Sequence, residues 1–244
     1  MRLCSAPATD DQALSALDRA GARVAVIIPV RDEADSIGAV VETVRTELGA
    51  EVIVVDNGSR DGSGAIAERH GARVIGEARR GYGWACRTGC TAAAGSDVVV
   101  IIDGDGSMAA ADIHRLLKPI LRDEADIVCG ARPRGSAAMP WHQRAGNHVI
   151  GLLLRTLYGL PLRELGPFRA VRVATLTGLA LPGSRYAWPA QMLARAARSG
   201  LRVAEVPVGY ADRTAGRSKI GGSVRGSFGA AWGVGWVLIG ERLR

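Results

Sequence analysis

The run Val98-Val99-Val100-Ile101-Ile102, followed at once by Asp103-Gly104-Asp105-Gly106, constrains this chain more than any other stretch. An unbroken series of β-branched residues reads as a strand buried on both faces, which in a chain with interleaved helices means a central parallel strand. Open parallel sheets bind ligands at the carboxyl ends of their strands, so Asp103 and Asp105 emerge where chemistry is expected. Residues i and i+2 of an extended path face the same way, and two such carboxylates can hold one hard cation against a diphosphate. Asp-Gly-Asp-Gly is also ordinary turn composition. An EF-hand is excluded, because its sixth position would be Met108 and its twelfth His114.

The same pattern recurs along the chain. Val24–Val30 and Glu51–Asp56 read as buried strands, Arg73–Ile75 as a third, and Asp126–Gly130 as the one after the central strand. Between them lie helical periodicities: Ile37, Val40, Val41 and Val44 after a cap at Asp35 or Ser36, a short helix ending near His70, one through Ala94, and one from Ala110 to Arg122. Strands alternating with helices over the first 130 residues predict an α/β fold, a mostly parallel central sheet with helices on both faces. Further on, helices are expected at Trp141–Tyr158, Gln191–Ser199 and Ser223–Leu243, with strands at Gly166–Arg172 and Leu201–Tyr210. The domain reading is a polar leader over 1–22, one α/β domain over 23–222 and a C-terminal amphipathic or apolar helix over 223–244.

A length of 244 residues suits a single such domain. The net charge of +7 favours partners carrying phosphate or an anionic membrane surface. Aromatic residues make up 5 %, too few for base-stacking platforms, so nucleic acid is not an expected partner. Cys4, Cys86, Cys90 and Cys129 have no CxxC spacing, and scattered free thiols indicate a reducing cytoplasm. No signal peptide and no apolar span of about 20 residues is present, so any membrane association is expected to be peripheral, on the cytoplasmic face.

The loop after the first strand holds Pro29, Arg31, Asp32 and Glu33 where a dinucleotide fold needs GxGxxG, and GxxxxGK[ST] is absent throughout. Asp56 closes the second strand, where a carboxylate either accepts hydrogen bonds from a nucleoside or caps the Asn57-Gly58 turn. Arg132 follows the next strand from the same sheet edge. The reading is a nucleoside-diphosphate binder in which a cation bridges Asp105 and the diphosphate.

The ordered set Ile28-Pro-Val-Arg-Asp-Glu33, Val54-Val-Asp-Asn-Gly-Ser59, Arg80-Gly-Tyr-Gly83, Asp103-Gly-Asp105, Gly130-Ala-Arg132, Gly166-Pro-Phe-Arg169, Glu205-Val-Pro-Val208 and Gly216-Arg-Ser-Lys219 resembles family 2 glycosyltransferases of the GT-A fold. Among these it looks most like the polyprenyl- or dolichol-phosphate sugar transferases and their soluble bacterial relatives. The resemblance implies inverting transfer of a sugar from a UDP- or GDP-linked donor with Mg²⁺ or Mn²⁺. It implies that Pro29, Arg31, Glu33 and Asp56 hold the nucleoside, Asp103 and Gly104 the nucleotide sugar, and Asp105 the metal. Arg132, Arg217 and Lys219 would hold phosphates, and Arg144 favours an anionic acceptor. Ser107 stands where many relatives place a metal-binding glutamine, and Gln191 where close relatives carry glutamate. A phosphate monoester needs no general base, so the loss of that carboxylate favours a lipid-phosphate acceptor. Alternatives are a soluble transferase acting on a hydroxyl with Glu164 as base, a sugar-1-phosphate nucleotidyltransferase, and a non-catalytic nucleotide-sugar binder. Residues 228–239, with Trp232 and Trp236, could lie in a membrane interface or pack as a core or dimer helix.

Overall fold

The computed structural model describes residues 21–132, 141–211 and 224–243, the side chains of 141–144 and 224–231 excepted. The expected leader helix, together with Arg217 and Lys219, lies outside the described residues. Seven strands form one sheet: β1 (Val24–Val30), β2 (Glu51–Asp56), β3 (Arg73–Gly76), β4 (Val98–Ile101), β5 (Ile127–Ala131), β6 (Arg169–Arg172) and β7 (Val203–Pro207), in the order β3-β2-β1-β4-β6-β5-β7. All pairings are parallel except those of β6, which runs antiparallel to both β4 and β5. The sheet is therefore mostly parallel, and the strand near Gly166 returns to it in reverse, wedged beside the central strand.

The helices are α1 (Ala34–Leu48), α2 (Ser63–Arg69), α3 (Tyr82–Ala92), α4 (Ile113–Leu121), α5 (Trp141–Tyr158), α6 (Val173–Leu179), α7 (Trp188–Arg198) and α8 (Val224–Leu243). Alternate residues of β4 serve two cores, as the pleat requires. Val98, Val100 and Ile102 pack with Ile37, Val41, Ile113 and Leu117 of α1 and α4, while Val99 and Ile101 pack with Ala85, Leu154, Trp188 and Leu238 of α3, α5, α7 and α8. Both faces of β4 are thus fully covered, which is why its sequence shows no polar alternation.

Several boundaries differ from the sequence expectation for identifiable reasons. α1 begins at Ala34 rather than at a cap on Asp35 or Ser36. The amides leading into it are satisfied from a distant segment: Ser59 Oγ accepts the Asp32 N–H at 3.0 Å, Ser63 Oγ that of Glu33 at 2.8 Å, and Asp61 Oδ2 that of Ala34, the first helical residue, at 2.9 Å. The helix expected from Ala110 opens with a 3₁₀ turn, Ala110–Asp112. α7 starts three residues before Gln191, with Pro189 in its first turn, where a missing N–H costs nothing. β7 is shorter than Leu201–Tyr210, although Tyr210 forms an isolated bridge with Met108.

Candidate active site

β1 lies between β2 and β4, so the direction of crossover reverses at the β1–β4 junction, where an α/β sheet opens a crevice. A cleft of about 210 Å³ sits there, lined by Pro29, Val30, Arg31, Glu33, Asp103, Gly104 and Asp105 from the strand ends, and by Asn57, Arg80, Gly81, Tyr82, Ala85, Arg185 and Tyr186. All of the first group but Val30 are candidates from the sequence; none of the second is.

Each wall has a local cause. Gly104 is packed so tightly that a Cβ would come within 2.9 Å of Val30, and Ser36 Oγ donates to its carbonyl at 2.8 Å, which seats the two-aspartate turn on α1. Asp105 is 3 % exposed, and its Oδ1 accepts the Ser107 N–H at 2.9 Å. Asn57 joins the walls: its Nδ2 donates to the carbonyls of Glu77 (3.0 Å) and Arg79 (2.8 Å), and its Oδ1 accepts the Gly81 N–H at 2.7 Å. In the sequence Asn57-Gly58 reads as a turn, with no site role assigned to Asn57. An asparagine directly after a buried strand was the available signal, since a side chain there faces the crevice.

Asp56 ends β2, and its Oδ1 accepts the Ser59 N–H at 2.7 Å; it caps the turn and is not among the lining residues. Ser107 is buried under the turn, outside the lining. Arg132 is not among the lining residues; its guanidinium is 4.5 Å from the Tyr210 ring and its Nε 3.6 Å from Glu164. Glu164 also accepts the Arg132 N–H at 2.9 Å, so this carboxylate is engaged in holding Arg132. The turn and the end of β7 are tied together, since Ala211 N–H donates to the Ser107 carbonyl at 2.9 Å and Ala109 N–H to that of Gly209 at 3.3 Å. Arg144 lies in the first turn of α5.

Electrostatics sharpen one wall. Bidentate contact with Arg79, at 2.8 and 2.9 Å, and a hydrogen bond from Thr88 hold the Glu77 carboxyl down to about 2. Burial pushes the Cys90 thiol up to about 12 and the Cys129 thiol to about 11, so these cysteines are inert packing groups.

Two adjacent carboxylates at a strand end suit a hard divalent cation, and among the described residues no third His, Cys, Asp or Glu completes a shell. That donor set fits an ion that keeps part of its coordination for a ligand's phosphates and water. The architecture and cleft together define an α/β protein with a ligand crevice at the switch point of its sheet, and similarity to known proteins gives the family. A model described as glycosyl transferase family 2 matches residues 25–178, and this chain belongs to that family of glycosyltransferases. It is 40 % identical over 209 residues to an uncharacterised glycosyltransferase of Mycobacterium tuberculosis, covering 85 % of this chain and 94 % of that protein. It is 31 % identical to the undecaprenyl-phosphate mannosyltransferase of Micrococcus luteus, covering 84 % and 90 %. Its fold superposes on glucosyl-3-phosphoglycerate synthase of Mycobacterium tuberculosis, solved with Mn²⁺, UDP-glucose and phosphoglyceric acid, with a TM-score of 0.77 at 21 % identity, covering 98 % of this chain and 86 % of that one. The GT-A fold is thereby established for this chain.

Proposed function

We propose that this enzyme transfers a sugar from a UDP- or GDP-linked donor to a polyprenyl phosphate, with inversion and with Mg²⁺ or Mn²⁺. The observation that carries the reading is the convergence of Asp103 and Asp105 with Pro29, Arg31 and Glu33 in one crevice at the sheet's switch point. Pro29, Arg31, Glu33 and Asn57 would hold the nucleoside, and Asp103 and Gly104 the sugar and its diphosphate. Asp105 would hold the cation, oriented by the backbone of Ser107. Bound there, the cation neutralises charge developing on the departing diphosphate.

The acceptor's phosphate oxygen attacks the anomeric carbon as the bond to the nucleotide breaks, and a monoester already anionic at pH 7 gives up no proton in that step. This accords with an amide at Gln191 and with the engagement of Glu164 by Arg132, which leave neither placed as a base. Arg132, Arg144, Arg217 and Lys219 would steady the phosphates. Lipid phosphate as acceptor is favoured by relatives named for undecaprenyl phosphate, polyprenol and dolichyl phosphate. No described helix is long and apolar enough to cross a membrane. The exposed Trp232 and Trp236 of α8 would instead rest on the cytoplasmic membrane surface.

A second reading has a small anionic acceptor, as in the structural relative solved with phosphoglyceric acid. Thermal stabilisation by UDP-, GDP- and dTDP-sugars, each with and without Mn²⁺, tests the donor reading. Turnover of undecaprenyl phosphate against 3-phosphoglycerate then separates the acceptors. Absence of stabilisation by any nucleotide sugar would sink the reading.

A further inference from the structure

Arg79 and Arg80 are neighbours with opposite fates. Arg79 is spent on structure, clamped to Glu77 and stacked 4.1 Å over Trp84. Arg80 lines the cleft, as does Arg185 from the segment before α7. Both are exposed, and among the described residues neither guanidinium has an ion-pair or hydrogen-bond partner.

The two are held side by side. Gly81 sits at φ 141° with its backbone against Arg185, where an added Cβ would meet Arg185 Cα at 2.6 Å. Gly83 is pressed as closely on Ser184, at 2.6 Å from its carbonyl oxygen. Glycine at both positions is what lets residues 80–83 and 184–188 touch, and Trp188, 2 % exposed, anchors the second segment in the core. The junction thus places two exposed guanidinium-bearing residues on the lining of the cleft that also holds Glu33, Asp103 and Asp105, and a guanidinium without a protein partner there is available to an arriving anion.

We propose that Arg80 and Arg185 form a seat for a phosphate oxyanion, in the same cleft as the carboxylate pair Asp103 and Asp105 but independent of metal. The inference rests on reading the cleft as a nucleotide-sugar site. The oxyanion belongs either to the donor's diphosphate or to the acceptor's phosphate. Guanidinium forks match phosphate oxygens bidentately, so the seat selects phosphate over neutral hydroxyls.

Calorimetry with inorganic pyrophosphate in EDTA tests the seat directly. The wild-type protein should bind it, and Arg80→Ala and Arg185→Ala should each weaken binding roughly 10-fold, with Arg185→Lys retaining more than Arg185→Ala. Arg87→Ala, which removes an exposed charge outside the cleft lining, should change nothing, and melting temperatures identify any variant that has lost its fold; Arg185→Gln serves if Arg185→Ala does. A matching loss of UDP affinity with Mn²⁺ assigns the oxyanion to the donor. Unchanged UDP affinity with a raised KM for undecaprenyl phosphate or 3-phosphoglycerate assigns it to the acceptor. No pyrophosphate binding, or binding indifferent to both arginines, overturns the seat whatever nucleotide sugars do. Arginine-dependent pyrophosphate binding without stabilisation by any nucleotide sugar would keep the seat and reject the donor reading.

Discussion

At the scale of single residues, Asp105 and Glu77 are both buried carboxylates, yet they do different work. Asp105 lines the cleft, and a diphosphate oxygen in direct contact with it and Asp103 needs a divalent cation between them, even where Arg80 and Arg185 hold the rest of the anion. Asp105→Asn should lower turnover at least ~100-fold, roughly 2.7 kcal/mol of transition-state stabilisation, with the melting temperature of the apo protein little changed. EDTA should abolish activity, and full activity in EDTA would rule out the metal. Glu77 is not among the residues that line the cleft. Its carboxyl, lowered from 4.5 to about 2 by Arg79 and Thr88, contributes stability that is complete above about 4.5 and is lost as pH falls through about 2. Urea midpoints of the wild-type protein should therefore fall across that window. Those of Glu77→Gln should start lower at pH 7 and fall less, and parallel curves would show that Glu77 contributes no pH dependence.

Among the elements, α8 does the most to complete the fold late in the chain. Val234 and Leu238 are 5 % and 0 % exposed in the core beneath α5 and α7. Glu241, 4 % exposed, receives Arg195 through both carboxylate oxygens at 3.0 and 3.1 Å, and Arg198 donates to its carbonyl at 2.7 Å. Leu238→Ala should cost about 2–5 kcal/mol by leaving a cavity. Glu241→Ala should cost about 1–3 kcal/mol by removing the carboxylate from Arg195, which keeps its bonds to the Leu179 and Ala180 carbonyls, and a loss under about 0.5 kcal/mol in denaturant titration would mean that α8 is loosely attached. The existence of α8 was legible in the sequence, but its partners were not, because nothing local to Glu241 announces Arg195. The same holds elsewhere. β1, β2 and β4 were readable because burial on both faces leaves continuous β-branched runs, and the cleft's carboxylates because they end such runs. The capping of α1 by Ser59, Asp61 and Ser63, the reversed direction of β6, and the arrival of Arg80, Tyr82, Arg185 and Tyr186 on one wall depend on contacts between distant segments, and no window of sequence contains them. α6 was missed because its seven residues include two threonines, a valine and a glycine, all weak helix formers, with no turn cluster before them to mark a start.

For the whole molecule, the remaining question is how a protein with no described spanning helix would reach a lipid-borne acceptor. α5 and α8 pack together, and both present apolar side chains to solvent: Val149 and Leu152 on α5, and Trp232, Trp236, Ile239 and Leu243 on α8, with Trp232 71 % exposed. The indoles of Trp232 and Trp236 meet edge to face at 5.9 Å, so they form one unit whose removal leaves the core beneath Leu238 intact. Indole rings favour the headgroup level of a bilayer, and a net charge of +7 adds attraction to anionic lipid at low salt. The wild-type protein should float with vesicles containing phosphatidylglycerol, less with purely zwitterionic vesicles, and less again as salt is raised. The Trp232→Ser/Trp236→Ser double variant should lose most flotation and raise the KM for undecaprenyl phosphate about 10-fold or more. That rise removes about 1.4 kcal/mol of binding, while UDP affinity and melting temperature stay as they were. If the wild-type protein instead sediments as a dimer that the double variant dissociates, and vesicles bind neither, the tryptophan pair is a subunit contact and the acceptor must be soluble.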